Sequence, residues 1–142
     1  MNSSLFLMGR IKELANEMIL EEISKRVEFD LSFSHADILN LLFTNKEFCM
    51  VEIAQKIHRS KATVSVLIDK LESNGYILKR QSSSDNRMYL IRASEKTIKL
   101  KKHFEEVSKT VFAKLFADFS KAQELMIEEL LEKMLNNISN NK

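Results

Sequence analysis

"VEIAQKIHRSKATVSVLIDKLESNG", residues 51–75, holds two short helices and a tight turn. Ile53, Ala54 and Ile57 fall on one side of a brief helix over 51–57. "HRS" (58–60) makes the turn, and Ser60 is an N-cap for a second helix over 61–74. Gly75 stands where a left-handed helix stop belongs. Ala54 is the small residue needed where the two helices cross. Val64, Leu67, Ile68 and Leu71 give the second helix its apolar inner face. This is the pattern of a helix-turn-helix. Lys61, Ala62, Ser65, Val66 and Asp69 are left on the outer face. Most of these side chains are short, so the helix backbone can approach the floor of a DNA major groove, where base edges are read. Lys61 suits a guanine or a phosphate, Ser65 either kind of base, and Ala62 and Val66 thymine methyl groups. The free N–H groups of the first turn, with the Ser60 hydroxyl, suit a phosphate.

Downstream, "YILKRQ" (76–81) and "RMYLIR" (87–92) are strand-like and flank a polar loop, so they read as a hairpin with a long tip. A helix-turn-helix followed by a hairpin is a winged helix. Arg87 at the tip suits a narrow, A·T-rich minor groove, whose negative potential attracts an inserted Arg. Asp85 is spaced to pair with it and fix its direction. Ser82, Ser83 and Ser84 are small enough to lie near phosphates, and Lys79 and Arg80 lead into the loop.

Outside this centre the chain reads as helix. Met8, Ile11, Ala15, Met18, Ile19, Ile23 and Val27 form a stripe over 5–27. Ser34 with Asp37 resembles a capping box opening a nearly all-apolar, hence buried, helix over 35–45. "KEFCM" (46–50) reads as a single short strand. Ser94 caps a long section in which Leu100, Phe104, Val107, Val111, Phe112, Leu115, Phe116 and Phe119 recur at helical spacing. Ser120 with Gln123 is a second capping box, starting a last helix with a broad apolar face from Met126 to Ile138 and a frayed end over 136–142. The fold expected is mostly α with a small β-hairpin wing: a winged helix-turn-helix lobe with N- and C-terminal helices around it.

The 142 residues suit one compact domain; 44% are hydrophobic and 30% charged, the proportions of a globular chain. Proline is absent and there are only two glycines, so helix ends depend on Ser, Asn and Asp caps. A lone Cys49, in an apolar stretch, excludes an internal disulfide framework and reads as an inert buried thiol. The N-terminus lacks the basic region of a signal peptide, and no stretch approaches the roughly 20 apolar residues of a membrane span, so a cytoplasmic protein is expected. Charge is unevenly spread. Residues 46–102 hold thirteen bases against six acids, a net of +7, between flanks of −3 and −2. A basic centre suits a polyanion and acidic flanks a partner other than DNA. His35, His58 and His103 show no metal-ligand spacing; His103 with Glu105 or Glu106 reads as solvated helix surface. No nucleophile–base–acid set or phosphate-binding glycine loop occurs, and neither an enzyme nor a cofactor is expected.

"DNRMYLIRASEK" (85–96) resembles the wing signature of the MarR family of winged-helix regulators: Asp-x-Arg, alternating apolar residues, then Leu-Thr-x-x-Gly. Asp85, Arg87, Leu90 and Ser94 match it, with Ser for Thr. "SKATVSVLIDKLESNGYI" (60–77) resembles the family's recognition helix and its exit, and the order of elements agrees from about residue 5 to 138. The resemblance implies one MarR-type domain over 1–142, with dimerisation helices over 5–30 and 100–138 and a DNA-binding lobe over 34–98. It implies a homodimeric transcriptional regulator, expected to be a repressor, on pseudo-palindromic double-stranded promoter DNA. A small aromatic or phenolic effector would bind between the first two helices and the helix after the wing, where Phe43 and Phe104 are candidate lining. Carried over residue by residue, the DNA contacts are Ser60, Lys61, Ala62, Thr63, Ser65 and Val66 on the recognition helix and Asp85 and Arg87 on the wing. Lys70 and Asn86 complete the candidate set.

The chain departs from the family pattern in four places. His58 replaces the usual Gly of the turn, which predicts a positive φ there, since His is among the few residues that tolerate it. Ala93 and Thr97 replace a Leu and a Gly after the wing, and Val66 a longer polar residue. Without the family, the terminal stripes exceed what a lobe of about 65 residues can cover. A second copy or an intramolecular bundle would each bury them. The other reading of the basic centre is a winged helix that docks on an acidic protein.

Overall fold

The computed structural model of the chain describes residues 3–139. The elements in order are α1 (Ser4–Ser24), α2 (Phe33–Leu42), β1 (Phe48–Cys49), α3 (Met50–Ile57), α4 (Lys61–Ser73), β2 (Ile77–Gln81), β3 (Tyr89–Ala93), α5 (Glu95–Ile98), α6 (Lys101–Leu115) and α7 (Lys121–Ser139). They fall into two compact units, one ending at Ser108 and one beginning at Lys109. The expected fraying of 136–142 lies partly outside the described residues; α7 itself runs to Ser139.

In the first unit β3 is central in an antiparallel sheet ordered β1-β3-β2. Ile77 pairs with Ala93 and Gln81 with Tyr89, while Phe48 pairs with Ile91. The strand expected at 46–50 is therefore a two-residue edge added to the hairpin. Strand alternation sends Ile77, Ile91 and Ala93 inward to meet Ile38, Leu39 and Leu42 of α2, Ile53 of α3, and Val64, Ile68 and Leu71 of α4, all buried. Phe43 and Phe104 meet edge to face at 4.9 Å inside this core.

Both helix stops around α4 use the same hydrogen-bond pair. At the end of α3, Arg59 N donates to Ala54 O (3.1 Å) and His58 N to Gln55 O (3.4 Å), with His58 left-handed at φ 56°. At the end of α4, Tyr76 N donates to Leu71 O (2.9 Å) and Gly75 N to Glu72 O (3.0 Å), with Gly75 at φ 81°. Each is a Schellman closure, which needs one left-handed residue. The sequence predicts both positions, including the positive φ of His58.

Three local expectations are corrected. The box that opens α2 is built on Ser32, not on Ser34 with Asp37. Ser32 Oγ accepts from His35 N (3.3 Å), and Ser32 N donates to His35 Nδ1 (3.0 Å). An imidazole does the work usually given to Glu or Gln. The section after the wing is not one helix: the chain turns at Lys99 and Leu100, separating α5 from α6. Finally, Leu67 is only half-buried, so the inner face of α4 is Val64, Ile68 and Leu71.

The Ala93/Thr97 departure has a defined structure. Ser94 Oγ donates to Gly75 O (2.7 Å), Ser94 N donates to Tyr76 O (3.1 Å), and the fully buried Thr97 hydroxyl also donates to Tyr76 O. A glycine at 97 would leave that second bond unmade.

His35 gives the fold a pH dependence. The ring is buried, Nδ1 must stay unprotonated to accept from Ser32 N, and Nε2 has no hydrogen-bond partner. Burial first, and the charge of Lys70 second, hold its pKa below the ordinary histidine value. The unfolded chain takes up the proton near about pH 6.5 and the native state resists it. Stability is therefore complete above that pH and declines as pH falls below it. Urea melts at pH 7.5 and 5.5 should show the wild type losing on the order of 1 kcal/mol that His35→Gln does not lose. Equal losses in both proteins would refute this account of the ring.

Candidate nucleic-acid interface

Ser60 is extended (φ −66°, ψ 153°) and caps α4: its Oγ accepts from Thr63 N at 3.2 Å and donates to Thr63 Oγ1 at 2.9 Å. The cap starts the helix abruptly, so the next residues leave the core at once. Lys61, Ala62, Thr63 and Val66 are exposed and Ser65 is half-buried. Val66 keeps 70% of its surface. Lys70 behaves differently. Its Nζ donates to Asp30 O (3.2 Å) and lies 5.5 Å from the Phe29 ring centroid. It braces the loop before α2 rather than pointing freely outward.

The wing tip is a small knot. Ser82 N donates to Met88 O (2.8 Å) and Met88 N to Asp85 O (3.0 Å), closing the loop, and Gln81 Nε2 donates to Asn86 O. Asn86 itself is exposed. Ser82 is buried with its hydroxyl against Ser84 Oγ (3.0 Å), so it is a structural residue and not a phosphate neighbour. Asp85 Oδ1 accepts from Arg87 N (2.9 Å) and lies 3.5 Å from Arg87 Nε. One carboxylate thus fixes both the backbone and the guanidinium of Arg87, whose side chain is 93% exposed.

The strand cations are tied down. Arg80 forms a two-pronged bridge to Glu47 (2.7 and 2.9 Å), which lowers the Glu47 pKa and raises that of Arg80. Lys79 lies 4.0 Å from Glu72 and 5.2 Å from the Tyr89 ring centroid. Arg59, which the sequence pattern did not single out, is exposed beside the α4 N-terminus, with Nη1 donating to His58 O (3.2 Å). Its place in the turn was the available signal.

Residues 31–89, from the loop before α2 to the start of β3, match the model of the MarR family. The family is one of transcriptional regulators, not enzymes. The chain is 24% identical over 110 residues to the uncharacterized HTH-type transcriptional regulator YdgJ of Bacillus subtilis, covering 78% of this chain and 67% of YdgJ. In fold it is similar to a MarR protein from Peptoclostridium difficile, with a TM-score of 0.86 at 24% identity over 99% of this chain and 90% of that one. It is equally similar to a MarR family regulator from Listeria monocytogenes solved with a 26mer DNA, with a TM-score of 0.86 at 21% identity over 99% and 92% of the two chains.

Phe43 and Phe104, the expected effector lining, are both buried in the core. An open cleft of about 420 Å³ lies against α1, α2 and the turn after α3, where Lys12, Asn16, Asp37, Lys56 and Arg59 meet Phe33 and Ile57. Burial raises the Asp37 pKa, and Arg59 and Lys12 oppose that rise. Among the described residues no three His, Cys, Asp or Glu side chains come together as metal ligands; His103 Nε2 instead faces Glu22 O at 3.1 Å. Cys49 is half-buried rather than buried, and its N–H donates to Glu52 Oε1 (3.0 Å). No helix among the described residues is long and apolar enough to cross a membrane.

The left-handed His58 sets the angle at which α4 leaves the turn. His58→Gly should raise stability by up to about 1 kcal/mol, since glycine adopts positive φ without a Cβ penalty. His58→Val should lower it, because a β-branched residue is a true outlier there. Chemical denaturation of the two variants checks the order.

Proposed function

We propose that the chain is a DNA-binding transcriptional repressor acting as a homodimer on pseudo-palindromic promoter DNA. On this reading residues 1–142 are one MarR-type domain acting in the cytoplasm. Residues 34–98 are the DNA-binding lobe, and 5–30 and 100–138 supply the dimer helices. The first turns of α4 enter the major groove through Ser60, Lys61, Ala62, Thr63, Ser65 and Val66. The wing presents Arg87 to the adjacent minor groove, with Asp85 as its brace and Asn86 beside the backbone. Lys70 contributes by holding the lobe together.

The observation that carries the reading is the wing tip: a guanidinium almost wholly in solvent, yet aimed by a carboxylate that also holds its own backbone N–H. An Arg that served only the fold would be covered by its partner, as Arg80 is in part: in its two-pronged bridge to Glu47 it keeps about half of its exposure, whereas Arg87 retains its own almost whole. The relative from Listeria monocytogenes solved with DNA supports the same use. For the dimer, the support is α7, none of whose described residues is buried, although Leu125, Met126, Leu130, Leu131, Met134, Leu135 and Ile138 line it. An isolated helix with that much exposed apolar surface gains its stability from a partner. Two-fold symmetry would then set two α4 helices about 34 Å apart, one DNA turn. For a small aromatic or phenolic effector, the support is the cleft at the turn after α3, which Lys12, Lys56 and Arg59 line together with Phe33 and Ile57.

Two measurements test this. Against DNA from upstream of its own gene, Arg87→Ala should weaken binding by about 1–3 kcal/mol and flatten the salt dependence. An unchanged affinity would turn the basic centre over to an acidic protein partner. Leu130→Asp should shift the protein from twice the mass of one chain to a single chain in sedimentation equilibrium. A wild type that sediments as a monomer at all concentrations would remove the dimer.

A further inference from the structure

We infer that this chain selects A·T base pairs by methyl contact: Ala62 and Val66 of α4 seat thymine 5-methyl groups in the major groove. The inference rests on the DNA-binding reading above and names the base pairs that α4 accepts.

At about 100° per residue, Ala62 and Val66 both lie within about 30° of the line opposite the buried row Val64, Ile68 and Leu71. They are the two residues of the N-terminal half that point most directly away from the core, and both are hydrocarbon. Val66 keeps 70% of its surface. Folding gains little from a valine there, because a largely exposed β-branched residue lowers helix propensity and buries little. The long side chains that usually read purine edges are missing from this line. Lys70 is turned onto Asp30 O and the Phe29 ring, and the Ser60 and Thr63 hydroxyls are bonded to one another. What α4 offers the centre of a groove is thus two small apolar caps, flanked by Lys61 for a phosphate or a guanine.

The only base edge with a hydrocarbon group in the major groove is thymine. Four residues of helix rise about 6 Å, close to two base-pair steps of about 3.4 Å each. The two contacts therefore fall on base pairs about two steps apart. Arg87, if it enters the neighbouring minor groove, favours a narrow A·T tract. Both reading elements select the same composition, so the half-site is A·T-rich on both grooves.

The test starts from duplexes selected by the full-length protein from a random-sequence pool. Each thymine of the selected half-site is replaced singly by deoxyuridine, which removes the methyl and leaves every hydrogen bond. Affinity is read by fluorescence anisotropy for the wild type and Val66→Ala, which truncates a largely exposed side chain. We expect roughly a three- to tenfold loss for the wild type at one or two positions about two steps apart. Val66→Ala should lose that sensitivity at one of them while keeping the wild-type salt slope. A wild type indifferent to deoxyuridine at every position, or a G·C-rich selected site, overturns methyl reading while DNA binding stands. A pool that enriches no sequence overturns both.

Discussion

The carbonyl of Tyr76 accepts from Ser94 N and from the Thr97 hydroxyl, while its N–H closes the Schellman stop of α4 on Leu71 O. Its phenol oxygen accepts from Glu28 N at 3.1 Å, and its ring packs on Phe29 at 5.2 Å. Lys96 Nζ lies 4.2 Å from the ring centroid. One fully buried residue thus joins the end of the recognition helix, the root of the wing, the start of α5 and the loop before α2. Gly75 makes this possible, because its left-handed backbone turns the chain sharply enough for residue 76 to begin a strand. The wing root and the end of α4 are therefore tied to each other through one residue. The proposed DNA reading needs that, since a groove-reading helix and a minor-groove arginine must keep a fixed spacing.

The basic centre is less uniform than its net charge. Arg80 is committed to Glu47, Lys79 to Glu72 and Tyr89, Lys96 to Glu28 and Lys70 to Asp30 O. These pairs are exposed and contribute little stability each. They do remove cations from the set aimed outward. Arg87, by contrast, is paired to a residue that orients it without covering it. Counting charges along the chain shows that a polyanion is a suitable partner. Only the pairing shows which charges are presented to it.

That distinction marks how far the sequence could be read. The helix-turn-helix, the Ser60 cap, the left-handed His58 and Gly75 and the Asp85–Arg87 pair were legible, because each rests on residues within a few positions of one another. Ser32 was missed because its partner is His35, and imidazole is not a usual N3 acceptor. The break at Lys99 and Leu100 was missed because apolar spacing continues through it; the turn is held by Leu100 N donating to Thr97 O (2.8 Å). The bond of Lys70 to Asp30 O, forty residues away, and the inward turn that buries Ser82 were not legible, because neither rests on neighbours in the chain pattern. Local chemistry survives in sequence, whereas long-range pairing does not.

Exposed hydrocarbon has two forms here, and they ask for different partners. On α7 it is a broad face of Leu, Met and Ile repeating over about four turns, too large to leave in water. On α4 it is Val66 with Ala62 at one point of an otherwise polar, cationic neighbourhood. A single exposed valine on a surface is ordinary. One placed on the outermost line of a recognition helix, where the family pattern carries a longer polar residue, changes what that helix can ask of a base pair. It replaces hydrogen-bond discrimination, which penalises a wrong base by leaving polar groups unpaired, with shape and methyl contact, which penalise it less. On the proposed reading, specificity is gathered from several weak contacts on two half-sites, and the hydrogen bonds through Tyr76 are what hold those contacts in register.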